Sequence, residues 1–202
     1  MCSGGDYCRR CGRDVSKFAL LESGCPDCQG KEFHFDGIAR SGIYKEALQQ
    51  MILSFKNGRT ELISTVGFLC NSALEGSNFY NDIELFVPVP LHFSRRLSRG
   101  YNQSYILAKN LKHPMAKISK NLVRKRRTKL QPAMASPAAR ARNVAGAFSI
   151  RHRNNVINRK ICLIDDIKTS GATLNECAKT LKEAGASKVY ALVLAVAGQK
   201  HI

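Results

Sequence analysis

Residues 161–173 read Ile-Cys-Leu-Ile-Asp-Asp-Ile-Lys-Thr-Ser-Gly-Ala-Thr. Four apolar residues in a row, two carboxylates, a short hydroxyl and glycine turn and then a helical pattern describe a buried strand that ends in an acidic pair and turns into a helix. In open α/β sheets, ligands sit where such strands end. The backbone N–H groups of Lys168 to Ala172 are expected to form a concave nest. The hydroxyls of Thr169, Ser170 and Thr173 add donors, and the helix N-terminus adds partial positive charge. This pattern predicts a phosphate cradle. Asp165 and Asp166 would repel the anion itself, so their place is beside it, accepting hydrogen bonds from sugar hydroxyls or orienting a hydrated magnesium ion. Together these features point to a sugar phosphate, with Gly171 letting the backbone approach the ligand. Plain helix capping by Asp166 or Thr173 would account for one of these residues but not for the whole run. No G-x-x-x-x-G-K-[ST] or G-x-G-x-x-G loop is present.

The charge distribution narrows the function classes. The chain of 202 residues has a formal net charge of +17, from 32 Lys or Arg against 15 Asp or Glu. Residues 85 to 164 carry 18 of those cations and no acid, so the rest of the chain is close to neutral. A polyphosphate ligand explains part of this excess, and a nucleic-acid surface is the natural explanation for the remainder. No apolar run reaches 18 residues, and residues 1 to 14 are polar and cysteine-bearing. A cytoplasmic protein with no membrane span is therefore expected.

Cys8-x2-Cys11 and Cys25-x2-Cys28, thirteen residues apart, supply four thiolates. This set suits a structural Zn²⁺ in a small ribbon and leaves no open position for catalysis. Disulfides are the alternative, disfavoured in a reducing compartment. The ribbon is assigned to 1–34 and the main domain to 35–202. Cys70, Cys162 and Cys177 lie in apolar patterns and read as core.

Along the main domain, helices are predicted over 45–56 and 61–74, a strand over 83–89, a short strand at 122–123, strand again at 146–150, a helix over 173–184 and a final strand over 188–197. After the 83–89 strand come a Pro-Val-Pro turn and then Arg95, Arg96, Arg99, Gly100, Asn102 and Gln103 before a helix. These six residues are candidates for a second anion site, in which arginine grips pyrophosphate bidentately. Lys56, beside a turn, is placed to reach an anion. Arg124, Lys125, Arg126, Arg127 and Lys129, followed by Arg140 and Arg142 in a stretch rich in Ala, Pro and Ser over 131–143, read as a loop that closes over a polyanion such as DNA, or as a plain linker.

Ile161 to Thr173 resembles the 5-phosphoribosyl-1-pyrophosphate (PRPP) binding motif of type I phosphoribosyltransferases at every position. The resemblance implies that Asp165 and Asp166 hold the ribose hydroxyls and that Lys168, Thr169, Ser170, Gly171, Ala172 and Thr173 hold the 5'-phosphate, with magnesium accompanying PRPP. Pro88-Val-Pro-Leu-His92, Arg99-Gly-Tyr-Asn-Gln103, Thr128-x-x-Gln131 and Arg142-Asn-Val-x-Gly-x-Phe148, together with the four-cysteine ribbon, look like the bacterial competence protein ComF family over Cys8 to about Ala197. That resemblance implies an α/β fold, a twisted, mainly parallel sheet of phosphoribosyltransferase type with helices on both faces, preceded by a small zinc ribbon. It also implies a role in DNA uptake and natural transformation, with single-stranded DNA and other competence proteins as partners and an unknown acceptor for any transfer reaction. A non-catalytic nucleic-acid-binding module with a vestigial PRPP site and a nucleobase salvage enzyme are the alternative readings. With no segment after the last strand to form a hood over a base, the ribbon is the expected cover of the site.

Overall fold

The computed structural model describes residues 7–16, 24–28, 30–91, 100–128 and 136–197. Strands β1 (Gly37–Ile43), β2 (Leu85–Pro88), β3 (Lys117–Ile118), β6 (Lys160–Lys168) and β7 (Lys188–Val196) form one sheet in the order β1-β7-β6-β2-β3. Every pairing in it is parallel. Strands β4 (Leu122–Arg124) and β5 (Phe148–Ile150) form a separate antiparallel pair. The helices are α1 (Glu46–Lys56), α2 (Ile63–Glu75), α3 (Gln103–Lys109), α4 (Pro137–Val144) and α5 (Ala172–Glu183).

Composition explains the sheet. β7 is apolar from Val189 to Val196 and β6 from Ile161 to Ile164, and these runs are buried on both faces, as central parallel strands must be. Alternate residues divide between two cores. Ile161 and Leu163 pack with Leu174, Cys177, Ala178 and Leu181, the i, i+3, i+4, i+7 face of α5. Cys162 and Ile164 point the other way, into a core with Ile52 and Phe55 of α1, Val66 and Cys70 of α2 and Leu107 of α3. Helices therefore cover both faces, as expected.

Strand order creates the site. The connection β6-α5-β7 leads to one side of β6, whereas β2-α3-β3 leads to the other side of β2, with α3 and α5 in opposite cores. The carboxyl ends of β2 and β6 thus flank a topological switch point, where the diverging connections leave a crevice.

The expected helix over 61–74 begins with a single turn of tighter helix at Thr60–Leu62 before α2 proper. One expectation is corrected. Residues 137–143, read as loop, belong to α4: the Ser136 hydroxyl caps it by accepting from Ala139 N at 3.1 Å, and Pro137 occupies its first turn. Ser followed by Pro is a helix start, and the three alanines after it have high propensity. Residues 129–135 of that stretch lie outside the described residues.

The ribbon protects the outer edge of the sheet. Ile38 N of β1 donates to Arg9 O at 2.8 Å, so a knuckle backbone satisfies part of an otherwise unpaired strand edge. Arg40 of β1 pairs with Asp14, and its guanidinium carbon lies 4.8 Å from the Tyr7 ring centre. Gly12 adopts φ +77°, and a Cβ there would stand 2.9 Å from Val196 Cγ2. Gly12→Ala should therefore lower stability by about 1–2 kcal/mol from backbone strain alone, read as a lower midpoint of urea unfolding. An unchanged midpoint would show that Gly12 does not hold this left-handed backbone.

Candidate active site and metal centre

At the carboxyl end of β6, Asp165 and Asp166 leave the strand on opposite sides. Asp165 Oδ1 accepts from Ser104 Oγ at 3.0 Å and from Asp166 N at 2.9 Å. Asp166 Oδ2 lies 2.9 Å from Lys56 Nζ at the end of α1. The α1 terminus is itself held by Tyr101, whose hydroxyl donates to Phe55 O at 2.6 Å. Two segments distant in sequence, the end of α1 and the start of α3, therefore converge on the acid pair.

These partners set the charge of the pair. Burial raises the Asp165 carboxyl, the neighbouring Asp166 charge raises it further, and hydrogen bonds from Asp166 N and Ser104 with the Lys56 charge only partly oppose this; the result is about 7. Asp165 therefore carries a proton in the folded state over a pH range where the unfolded chain does not. Its contribution to stability is present below pH ~4 and is lost as pH rises towards 7. A ligand that delivers hydroxyl donors or a cation to the crevice would favour the ionised form.

The turn that follows carries the residues expected to form the cradle. Gly171 caps α5 with φ +83°, a left-handed conformation, and Asn175 N returns to Gly171 O at 2.9 Å. Ser170 Oγ approaches Ala172 N at 3.4 Å. Thr169 is exposed, while Ser170, Ala172 and Thr173 are half-buried. The first-turn N–H groups of α5 have no carbonyl of their own helix to meet. Lys168 departs from the others: its side chain is only 4% exposed, and a Cβ on Gly171 would lie 3.0 Å from its Cε. Its stem thus packs beneath the turn, and burial lowers its pKa.

Across the crevice, β2 continues past Pro88, with Val89 N donating to Ile164 O at 2.9 Å. Asn102 Nδ2 donates to Val89 O at 3.1 Å, and its Oδ1 caps α3 by accepting from Ser104 N at 3.1 Å. Gln103 is buried, and its Nε2 has no hydrogen-bond partner among the described residues. Gly100 takes φ +76° at the entry to this turn. Arg95, Arg96 and Arg99, expected beside them, lie outside the described residues, as does Lys129.

The remaining cations spread over the β4–β5 pair and α4. Arg124 closes β4, donates to Thr128 and lies 5.2 Å from the Phe148 ring centre. Arg126 ties the pair to α4 through Asn143 O at 3.0 Å and Ala145 O at 2.8 Å. Lys125, Arg127 and Arg142 are exposed, and Arg140 is half-buried. The structure thus groups these cations around one hairpin and helix but does not bring them onto the acid pair. Ser104 had no signal at the sequence level as a partner of Asp165; only the packing of α3 against β6 joins them.

The four ribbon cysteines cluster with their sulfurs within 4.8 Å of one another. Cys8–Cys28, Cys11–Cys25 and Cys25–Cys28 are separated by 3.6, 3.6 and 3.7 Å. Tetrahedral Zn–S bonds of about 2.3 Å imply sulfurs about 3.8 Å apart, so the set fits zinc. Burial opposes ionisation of the cluster and raises Cys11 to about 11 and Cys28 further, whereas in Cys8 backbone hydrogen bonds from Cys11, Arg10 and Cys25 outweigh burial and bring the thiol down to about 7. The purified protein should carry one zinc per chain by elemental analysis, and Cys25→Ser should reduce that content and the unfolding temperature together. Full zinc content in that variant would place the metal elsewhere.

Comparison with known proteins fits this geometry. The phosphoribosyl transferase domain family matches residues 97–201. Competence protein F of Haemophilus influenzae is 29% identical over 196 residues, covering 94% of this chain and 84% of that protein. Competence protein ComFC of Bacillus subtilis is 28% identical over 193 residues, covering 90% and 73%. DNA utilization protein YhgH of Escherichia coli is 27% identical over 187 residues, covering 90% and 80%. With the acid pair, the hydroxyl turn and the four-cysteine cluster all in place, this chain belongs to the phosphoribosyl transferase domain family, among relatives of the competence protein F and ComFC type.

Proposed function

We propose that the protein binds PRPP with magnesium at the carboxyl ends of β2 and β6 and handles single-stranded DNA in the cytoplasm during DNA uptake. The juxtaposition of an acid pair and a helix-initiating hydroxyl turn at the topological switch point carries the first part of this reading. The names of the relatives and the acid-free basic segment 85–164 support the second.

In this reading Asp165 and Asp166 accept from the ribose hydroxyls, and ligand binding draws Asp165 into its ionised form. Backbone groups of Lys168 to Thr173, with the hydroxyls of Thr169, Ser170 and Thr173, hold the 5'-phosphate. Gly100, Asn102 and Gln103, with Arg95, Arg96 and Arg99, hold the pyrophosphate. Magnesium, when bound, screens charge on the leaving pyrophosphate, and the carboxylates would hold it through water, because Lys56 and Ser104 already occupy one oxygen of each acid. Transfer to an acceptor would then proceed by departure of pyrophosphate from C1 of the ribose through an oxocarbenium-like state. The chain's contribution would be positioning and charge stabilisation rather than a side-chain nucleophile.

Calorimetric titration of PRPP with magnesium into the zinc-loaded wild type and into Asp165→Asn/Asp166→Asn tests the reading. Loss of charged hydrogen bonds worth about 1.5–3 kcal/mol each predicts at least a 10-fold weakening in the variant. Circular dichroism should show both proteins folded. Equal affinity in both would remove the acid pair from the site. No heat with the wild type would leave a nucleic-acid-binding module whose PRPP site is vestigial. The apo stability of Asp165→Asn should also lack the decline with pH between ~4 and 7 that the raised carboxyl predicts for the wild type; the same slope in both proteins would contradict the raised carboxyl.

A further inference from the structure

A cleft of about 500 Å³ opens beside the Pro88–Pro90 turn, between the start of α3 and the β4–β5 pair. Its walls are of two kinds. Tyr101 and Tyr105 with Pro88, Pro90 and Ile106 provide flat apolar surface, while Lys120, Arg124 and Arg151 provide cations from three places around the hairpin. No carboxylate lines it. Lys120 and Arg151 are exposed and make no ion pair among the described residues. A cavity with aromatic faces and only positive charge suits an anion that carries planar rings.

We propose that this cleft is a base-stacking subsite for single-stranded DNA, in which a base lies on Tyr105 and the flanking phosphates meet Lys120 and Arg151. The inference rests on the nucleic-acid half of the function proposed above and gives it a location. Two observations favour a polymer over a free nucleotide. The cations do not stop at the cleft: Lys117 precedes it and Lys125 and Arg127 follow it along the chain, all exposed and without an ion pair among the described residues. They also surround a hairpin rather than converging on one point, as the phosphates of an extended strand require.

The Tyr105 ring is already engaged from one side, with the Lys120 ammonium 4.2 Å from its centre. That does not block a base. A solvent-exposed cation on an aromatic face contributes about 2- to 5-fold in an equilibrium constant, whereas a stacked base contributes about 5- to 150-fold. The base displaces or sandwiches the ammonium, and a displaced Lys120 is left beside the phosphate that the base brings with it. Asn102 lines the cleft and caps the helix turn from which Ser104 reaches Asp165, so DNA held here would run alongside the PRPP site.

The test measures fluorescence anisotropy of a labelled oligo(dT), and of an abasic strand of the same length, with the full-length zinc-loaded protein over a range of salt. Tyr105→Ala should weaken oligo(dT) about 5- to 150-fold and leave the abasic strand unchanged, while Tyr105→Phe should bind oligo(dT) like the wild type. Arg151→Ala should weaken both strands and lower the slope of log K against log salt by about one. All three variants should titrate PRPP with wild-type affinity, which also reports folding. Oligo(dT) bound equally by wild type and Tyr105→Ala, with the salt slope unchanged in Arg151→Ala, would overturn the subsite while leaving DNA binding in place. A wild type that binds neither strand at low salt would overturn the subsite and the DNA role together, and the PRPP titration would stand apart from that result.

Discussion

β6 is hydrogen-bonded to β2 on one side and β7 on the other, in registers that set Val87 and Ala191 on either side of Leu163, and Val193 beside Asp165. Because side chains alternate across a strand, a slip of one residue in either register would exchange the two cores and send the apolar residues into each other's places. The alternation that buries Ile161 and Leu163 on one face and Cys162 and Ile164 on the other also settles where the acids go. They are the first residues beyond the apolar run, so they emerge where the sheet stops being covered. The crevice at that point follows from strand order, since the chain leaves β6 and β2 towards opposite edges. Site position thus depends on packing that has no chemistry of its own.

The electrostatics of the pair depend in turn on what the crevice brings close. Two adjacent carboxylates at the mouth of a buried strand would repel each other and resist desolvation, and the fold answers each differently. Asp166 pairs directly with the Lys56 ammonium, whereas Asp165 has hydrogen bonds from Ser104 and the backbone and only the more remote Lys56 charge, and is left with a carboxyl pushed up to about 7. One acid is compensated and the other is not. A site arranged this way has more to gain from a ligand rich in hydroxyl donors than a pair of exposed, fully ionised carboxylates would have.

Much of this was legible in the sequence because it is local. The strand, acid pair, turn and helix at 161–183 follow from residue order alone, and the two Cys-x2-Cys knuckles announce a four-sulfur cluster by spacing. The helix α4 was hidden by composition: small residues between prolines and arginines resemble a loop unless Ser136-Pro137 is recognised as a cap and first turn. The partners of the acids could not be read at all. Lys56 and Asp166 are separated by more than a hundred residues, and nothing in the pattern of α1 says that its last residue faces β6 rather than solvent. Ser104 differs from any other serine only because α3 crosses the end of β6. Local signals give the parts of a site, and long-range packing gives their pairing.

Lys168 shows how closely the two halves of the molecule are joined. The last residue of β6, it buries its stem under the turn at Gly171, and its carbonyl accepts from Ala197 N at 2.8 Å just beyond β7. Burial is the largest influence against its charge, Arg13 and Lys31 act in the same direction, and Cys11 and Cys28 act the other way. Four thiolates around one divalent ion carry two net negative charges, so a loaded ribbon supports a buried ammonium better than an unloaded, protonated one. The ribbon also meets the carboxyl end of β7 directly, with no space for a Cβ between Gly12 and Val196. A knuckle that secures the sheet edge through Arg9 and Ile38 therefore also bears on the residue beneath the Gly171 turn. Were zinc held by the four cysteines, its loss would reach the Gly171 turn through packing and charge.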